Sequence, residues 1–153
     1  MILKAFDEIQ DITVTSLSII KGLKGDVRHA MKRSDPNFIS FGEAYFSTIK
    51  RGEIKGWKKH NRATLNLTLA FGEVIFFAYD DRRSSRTYGS LSKIVISLEN
   101  YKRLTIGPGI WVAFYGSEEL NAILNICDLE HDPSEAENRE MGDELLPDLR
   151  RFI

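Results

Sequence analysis

The stretch Thr64-Leu65-Asn66-Leu67-Thr68-Leu69-Ala70-Phe71, followed after Gly72-Glu73 by Val74-Ile75-Phe76-Phe77-Ala78-Tyr79, decides how this chain folds. Leucines alternate with Thr64, Asn66 and Thr68 at a period of two, which is the signature of a strand with one apolar face. A glycine-centred turn joins it to a second, wholly apolar run. The two runs are consecutive strands, and the polar face of the first either lines a ligand cavity or lies on an outer sheet surface.

The same pattern repeats outward in both directions. Residues 12 to 20, ITVTSLSII, alternate apolar and hydroxylated side chains, and Ala44 to Lys50, Lys93 to Leu98, Arg103 to Ile106, Ile110 to Tyr115 and Asn121 to Cys127 are further short strands. Gly52, Gly72, Gly89, Gly107-Pro108-Gly109 and Gly116-Ser117 punctuate them. Many short strands with close turns predict an antiparallel sandwich or barrel. The segment KGLKGDVRHAMKRSDPN reads as a basic loop with one helical turn around Val27 to Met31. Asp132-Pro133 reads as an N-cap and first residue of a short helix over Pro133 to Arg139, with Glu135 and Glu137 near its positive end. Residues 133–153 are thus expected to form a helical or extended tail on a single domain spanning 1–153.

Composition narrows the function classes. A net charge of −1 over 153 residues gives no global attraction to nucleic acid, so an anionic ligand must meet a local patch. No apolar run approaches the roughly 20 residues of a membrane span. The first ten residues, MILKAFDEIQ, carry acids where a secretory leader has its apolar core, and Cys127 is the lone cysteine, so a reducing cytoplasm is expected.

The local patch is Ile54-Lys55-Gly56-Trp57-Lys58-Lys59-His60. Read as a strand, it places Lys58 and His60 on the same side. Lys58 suits three roles: a base if its pKa is lowered, a cation contacting a ligand, or a solvated strand residue. His60 is either a site imidazole or a surface histidine. His29 and His131 stand alone in loop contexts and read as structural or exposed, Trp111 reads as packing, and Trp57 is left open between packing and stacking on a ligand. Tyr45, Tyr79 and Tyr115 each carry a phenol able to donate a proton, and Arg82, Arg83 and Arg86 suit phosphate. One imidazole and ammonium groups do not make a metal site, so none is expected.

Taken together, Gly42-Glu43-Ala44-Tyr45-Phe46-Ser47, the Ile54 to His60 stretch, Tyr79-Asp80-Asp81-Arg82, Asn100-Tyr101-Lys102-Arg103-Leu104, Pro108-Gly109-Ile110-Trp111-Val112-Ala113-Phe114 and Asn125 to Pro133 resemble the dTDP-4-dehydrorhamnose 3,5-epimerase family. The resemblance is to its short sugar-epimerase-like branch and covers roughly residues 24 to 140. It implies an all-β, cupin-like antiparallel jelly roll, a homodimer, and a nucleotide-linked hexose as ligand, a dTDP-hexose above all, with no metal and no other cofactor. The implied chemistry is proton transfer alpha to the C4 ketone of a 4-keto-6-deoxyhexose, in polysaccharide or deoxysugar synthesis. Carried over by position, the family's catalytic histidine falls on Lys58, its second histidine on Val112 and its tyrosine at or near Asn125, while Asp143 matches the aspartate that supports the histidine. The expected catalytic residues are therefore Lys58 and His60. The expected substrate-binding residues are Lys55, Thr64 and Asn66, with Arg28, Lys50, Arg82 and Tyr115 as second choices. The alternative is a sugar-nucleotide-binding or regulatory protein of the same fold that has lost its acid and base.

Overall fold

The computed structural model describes residues 1–153, with the side chain of Ile2 excepted. Thirteen strands follow in chain order: β1 Ile2–Lys4, β2 Ile12–Ser16, β3 Ile19–Ile20, β4 Val27–Arg28, β5 Glu43–Ile49, β6 Ile54–His60, β7 Leu65–Phe71, β8 Val74–Asp80, β9 Ser90–Ile96, β10 Lys102–Ile106, β11 Trp111–Gly116, β12 Asn121–Cys127 and β13 Ala136–Asn138. They form a six-stranded sheet in the order β1-β9-β8-β11-β6-β13, a five-stranded sheet in the order β2-β10-β7-β12-β5, and the small hairpin β3-β4. Pairing is antiparallel throughout, apart from the parallel contact of β1 with β9. This is the antiparallel all-β architecture expected from the alternating runs, and the jelly roll that the family resemblance implies.

The main core lies between the two sheets. Leu65, Leu67 and Leu69 of β7 meet Phe76 and Ala78 of β8, with Leu104, Ile106, Ile110 and Ile123 around them. A second cluster covers the other face of the six-stranded sheet, where Trp57, Phe77, Leu91 and Trp111 pack beneath Leu146 and Leu149 of the C-terminal segment. The unbroken apolar run of β8 follows from this: Phe76 points into the barrel and Phe77 into the second cluster, so neither face meets water. Trp57 and Trp111 are both packing residues.

The short helix expected over Pro133 to Arg139 is replaced by a single 3-10 turn, Pro133–Glu135, and then by β13. Asp132 does cap the turn, accepting a hydrogen bond from the Ser134 N–H at 2.9 Å. Helix growth stops there because Ala136, Glu137 and Asn138 pair with His60, Lys59 and Lys58, and the backbone of Arg139 exchanges two hydrogen bonds with that of Trp57. Sheet pairing at an open edge outweighs the local helix signal. Likewise Val27 and Arg28, expected in a helical turn, form β4 against β3. A further turn, Leu149–Arg151, closes the tail.

Candidate active site

The stretch that forms β6 builds one wall of a cavity of about 300 Å³ between the sheets, at the lower end of the range for small-molecule sites. Lys55, Gly56, Lys58 and His60 line it from β6, Val112 and Phe114 from β11, and Asn138 from β13. The opposite wall is Tyr45 and Ser47 of β5, Leu65 and Leu67 of β7, and Ile123 and Asn125 of β12.

In a regular strand Lys55 and Lys58, three residues apart, would face opposite sides. They share the cavity because β6 is bulged: Val112 stands opposite Lys58 and Phe114 opposite Lys55, so Gly56 and Trp57 together oppose Ala113. The bulge requires glycine. Gly56 has φ +122°, and a Cβ there would lie 2.7 Å from the Ala113 Cβ and 2.8 Å from the Val112 carbonyl oxygen. Beyond the bulge alternation resumes, with Trp57 and Lys59 turned outward and Lys58 and His60 inward. Lys59 sits over the Trp111 ring and pairs with Glu137 at 3.3 Å.

His60 is held from behind. Its Nδ1 lies 2.7 Å from Oε2 of Glu135, a side chain 5% exposed. The other carboxylate oxygen of Glu135 accepts from the backbone N–H groups of Arg62 and Ala63, each at 2.7 Å. Burial opposes the charge on Glu135, yet the Ala63 and Arg62 donors, with His60, outweigh it and hold the carboxyl below its ordinary range. An ionised carboxylate only accepts, so the Nδ1 of His60 carries the hydrogen, and in the neutral imidazole Nε2 is the nitrogen with the lone pair. A side chain capable of taking a proton therefore borders the cavity.

Lys58 has no hydrogen-bond or ion-pair partner among the described residues. Lys55 reaches the rim, donating to Ser47 Oγ at 3.0 Å and to the Thr48 carbonyl at 3.1 Å, with its ammonium over Phe114. Across the cavity the phenol oxygen of Tyr45 accepts from Asn125 Nδ2 at 2.8 Å. Burial pushes the Tyr45 phenol above its ordinary value against that hydrogen bond, so it keeps its proton at neutral pH. Cationic side chains on one wall, a phenol on the other and leucines between them suit an anionic ligand whose reacting part is sheltered from water.

The other expected site residues lie elsewhere. Thr64 and Asn66 do not line the cavity: the leucines of β7 face inward, and the polar set faces the outer side of the sheet. That outer face is covered rather than solvated. Asn66 accepts from Thr105 Oγ1 at 2.7 Å, and the buried Arg103 donates to the Ala30 carbonyl and to Asp35 in the segment lying over it. The Thr64 N–H is taken by Asp128. Arg28 lies on this outer side too, donating to the Ala70 carbonyl at 2.6 Å with its guanidinium against Phe71 and Tyr101. Lys50 is exposed in the β5–β6 turn. Arg82 is engaged by Asp80, Asp11 and the Gln10 carbonyl, and Tyr115 packs in the second cluster. Asp143, matched to a histidine-supporting aspartate, pairs with Arg139 at 2.8 Å. Glu135 supports the imidazole instead.

No protein-family model matches the chain. The probable low-salt glycan biosynthesis epimerase Agl13 of Haloferax volcanii is 27% identical over 134 residues, covering 83% of this chain and 85% of its own. The crystal structure of a dTDP sugar isomerase from Desulfovibrio desulfuricans superposes with a TM-score of 0.88 at 28% identity, over 91% of this chain and 90% of that one. The dTDP-6-deoxy-D-glucose-3,5-epimerase RmlC of Legionella pneumophila, solved with dTDP-4-keto-L-rhamnose, shares the fold with a TM-score of 0.80 at 20% identity, over 91% and 78% of the two chains. Among the described residues no helix is long and apolar enough to cross a membrane. In sequence and in its jelly roll this chain is similar to the dTDP sugar isomerase, and it shares its fold with the 3,5-epimerase.

Proposed function

We propose that the protein is a nucleotide-sugar epimerase or isomerase that moves a proton alpha to the C4 ketone of a dTDP-linked 4-keto-6-deoxyhexose. The observation that carries this reading is the His60–Glu135 pair opening onto a cavity shared with Lys58. In the proposed reaction Nε2 of His60 removes the proton from the carbon beside the ketone. The electron pair left behind moves into the bond to C4, and the enolate oxygen that forms is stabilised by the Lys58 ammonium. Tyr45, on the opposite sheet, offers a phenolic hydroxyl proton from the other side of the cavity. Reprotonation from that wall returns the carbon with inverted configuration. Lys55 at the rim suits the diphosphate.

The likeness to an isomerase of dTDP sugars and to a glycan biosynthesis epimerase supports the substrate class. We further propose a cytoplasmic homodimer acting in polysaccharide or deoxysugar synthesis. The edge strand β5 with exposed Phe46, together with exposed Ile39 and Phe41 in the segment before it, supports the dimer as apolar surface open to a second copy; light scattering on the purified protein tests it.

The deciding experiment is solvent exchange. The protein is incubated with dTDP-4-keto-6-deoxyglucose in deuterated water and the sugar examined by NMR. Deuterium at C3 or C5 is expected. Binding without any label would overturn the enzymatic reading and leave a sugar-nucleotide-binding protein.

A further inference from the structure

Asn125 is 3% exposed and stands in the cavity wall among Leu65, Leu67 and Ile123. Strand register places it directly opposite Tyr45 on β5 and Leu67 on β7. Its Nδ2 is committed to the Tyr45 phenol oxygen at 2.8 Å, and that bond fixes the rotation of the carboxamide. The carbonyl oxygen Oδ1 is left buried with no hydrogen-bond partner among the described residues. Other unpartnered buried atoms, such as those of Ser90, Ser92 and Arg103, lie away from this cavity. An apolar side chain of the same shape would carry no such cost, so an unpaired acceptor in a leucine-lined wall is a group waiting for a donor.

We infer that Asn125 is the specificity-determining residue of the sugar pocket, its Oδ1 accepting a hydrogen bond from a ring hydroxyl of the bound hexose. This rests on the nucleotide-sugar reading above. The chemistry then limits which hydroxyl is read. In a nucleotide-linked 4-keto-6-deoxyhexose C1 carries the phosphate, C4 is a ketone, C5 closes the ring and C6 is a methyl group, so only C2 and C3 bear hydroxyls. Tyr45 sets the contact indirectly, because its oxygen holds Nδ2 and leaves Oδ1 as the carboxamide's free acceptor. A site that presents a desolvated acceptor rejects an analogue lacking the matching donor far better than a purely apolar pocket does.

The test is calorimetric titration of the full chain with dTDP, dTDP-glucose, dTDP-2-deoxyglucose and dTDP-3-deoxyglucose, repeated on Asn125→Leu. Wild-type protein is expected to bind dTDP-glucose about tenfold more tightly than one of the two deoxy sugars, the loss of one hydrogen bond to a buried acceptor. Asn125→Leu is expected to treat dTDP-glucose and that deoxy sugar alike. Equal binding of all three sugars by wild-type protein overturns the proposal without recourse to any variant, as does discrimination that survives in Asn125→Leu. Failure of wild-type protein to bind either dTDP or dTDP-glucose removes the nucleotide-sugar reading itself, and the role of Asn125 falls with it.

Discussion

The Nδ1 of His60 and the Oε2 of Glu135 lie 2.7 Å apart, although 75 residues separate them in the chain. The contact exists because β13 adds to the edge of β6, with Ala136 paired to His60, so the residue before it turns its carboxylate under the imidazole. Glu135 thus joins two tasks. It accepts from the backbone N–H groups of Arg62 and Ala63, and it holds Nδ1 of His60, which leaves Nε2 as the free ring nitrogen.

Those tasks separate in variants. His60→Gln is expected to reduce solvent exchange by about 10²- to 10⁴-fold, the usual contribution of a positioned base, with little change in dTDP binding. Glu135→Gln keeps an oxygen for the two N–H groups but loses the fixed tautomer, so exchange falls by about tenfold or more and its pH profile changes. Glu135→Ala also strips two donors of their acceptor, and each such loss costs about 1–3 kcal/mol. Exchange rates by NMR over a pH series, with denaturant midpoints alongside, distinguish the three. Wild-type rates and pH profile in Glu135→Gln would show the contact to be purely structural.

The bulge at Gly56 makes a second prediction. Gly56→Ala places a methyl group 2.7 Å from the Ala113 Cβ and 2.8 Å from backbone atoms, at a φ of +122° that side chains avoid. Nothing near it is the far end of a flexible chain, so β6 and β11 must separate. A loss of about 2 kcal/mol or more is expected. Relaxation into a regular strand would also turn Lys55 out of the cavity, weakening dTDP binding. Unchanged melting and unchanged affinity would mean that the bulge is not what sets the site.

How much of this is legible in the sequence varies by element. The strands around Leu65 to Leu69 and Asn121 to Cys127 are plain from their period, and Lys58 and His60 share a face as alternation requires. The cavity face of β7 is not legible, because both faces of that strand are buried: leucines inward, and Asn66 and Thr68 under the segment that carries Arg28 and Asp35. Period alone cannot say which side holds a ligand. Glu135 escapes because Asp132-Pro133 genuinely is a capped turn, and only the edge of β6 explains why the chain leaves it as a strand. Lys55 joins Lys58 only through the bulge, and the signal for it was present in Gly56 between two strand residues.

Acid stability turns on a different carboxylate. Asp80 is fully buried, and although burial works against its charge, hydrogen bonds from Arg82, Ser85 and Thr87 hold its pKa at about 2. An exposed aspartate titrates near about 3.9. The folded state therefore favours the ionised form, and the stabilisation is complete above about pH 4 and disappears as pH falls through about 2. Its size is on the order of 2 kcal/mol. Wild-type protein is expected to lose denaturant stability across that window, and Asp80→Asn to start lower and depend less on pH there. Parallel curves for the two proteins would rule out this assignment.

The C-terminal segment covers the outer face of the same strand that carries the site. Leu149 is fully buried and Leu146 nearly so, both against Trp57 and Trp111, while the Trp57 indole N–H points to the Pro147 carbonyl at 3.4 Å and that of Trp111 donates to Asp81 at 2.8 Å. Trp57 adjoins Lys58, so packing on the outer face holds the position of the side chains on the inner one. Leu149→Ala is expected to cost about 2–5 kcal/mol, the range for truncating a buried leucine. It should also shift tryptophan emission to longer wavelength, since these two are the only tryptophans in the chain. Weaker dTDP binding by Leu149→Ala is also expected in titration well below the lowered melting point, and wild-type affinity there would show that the segment only shields the sheet.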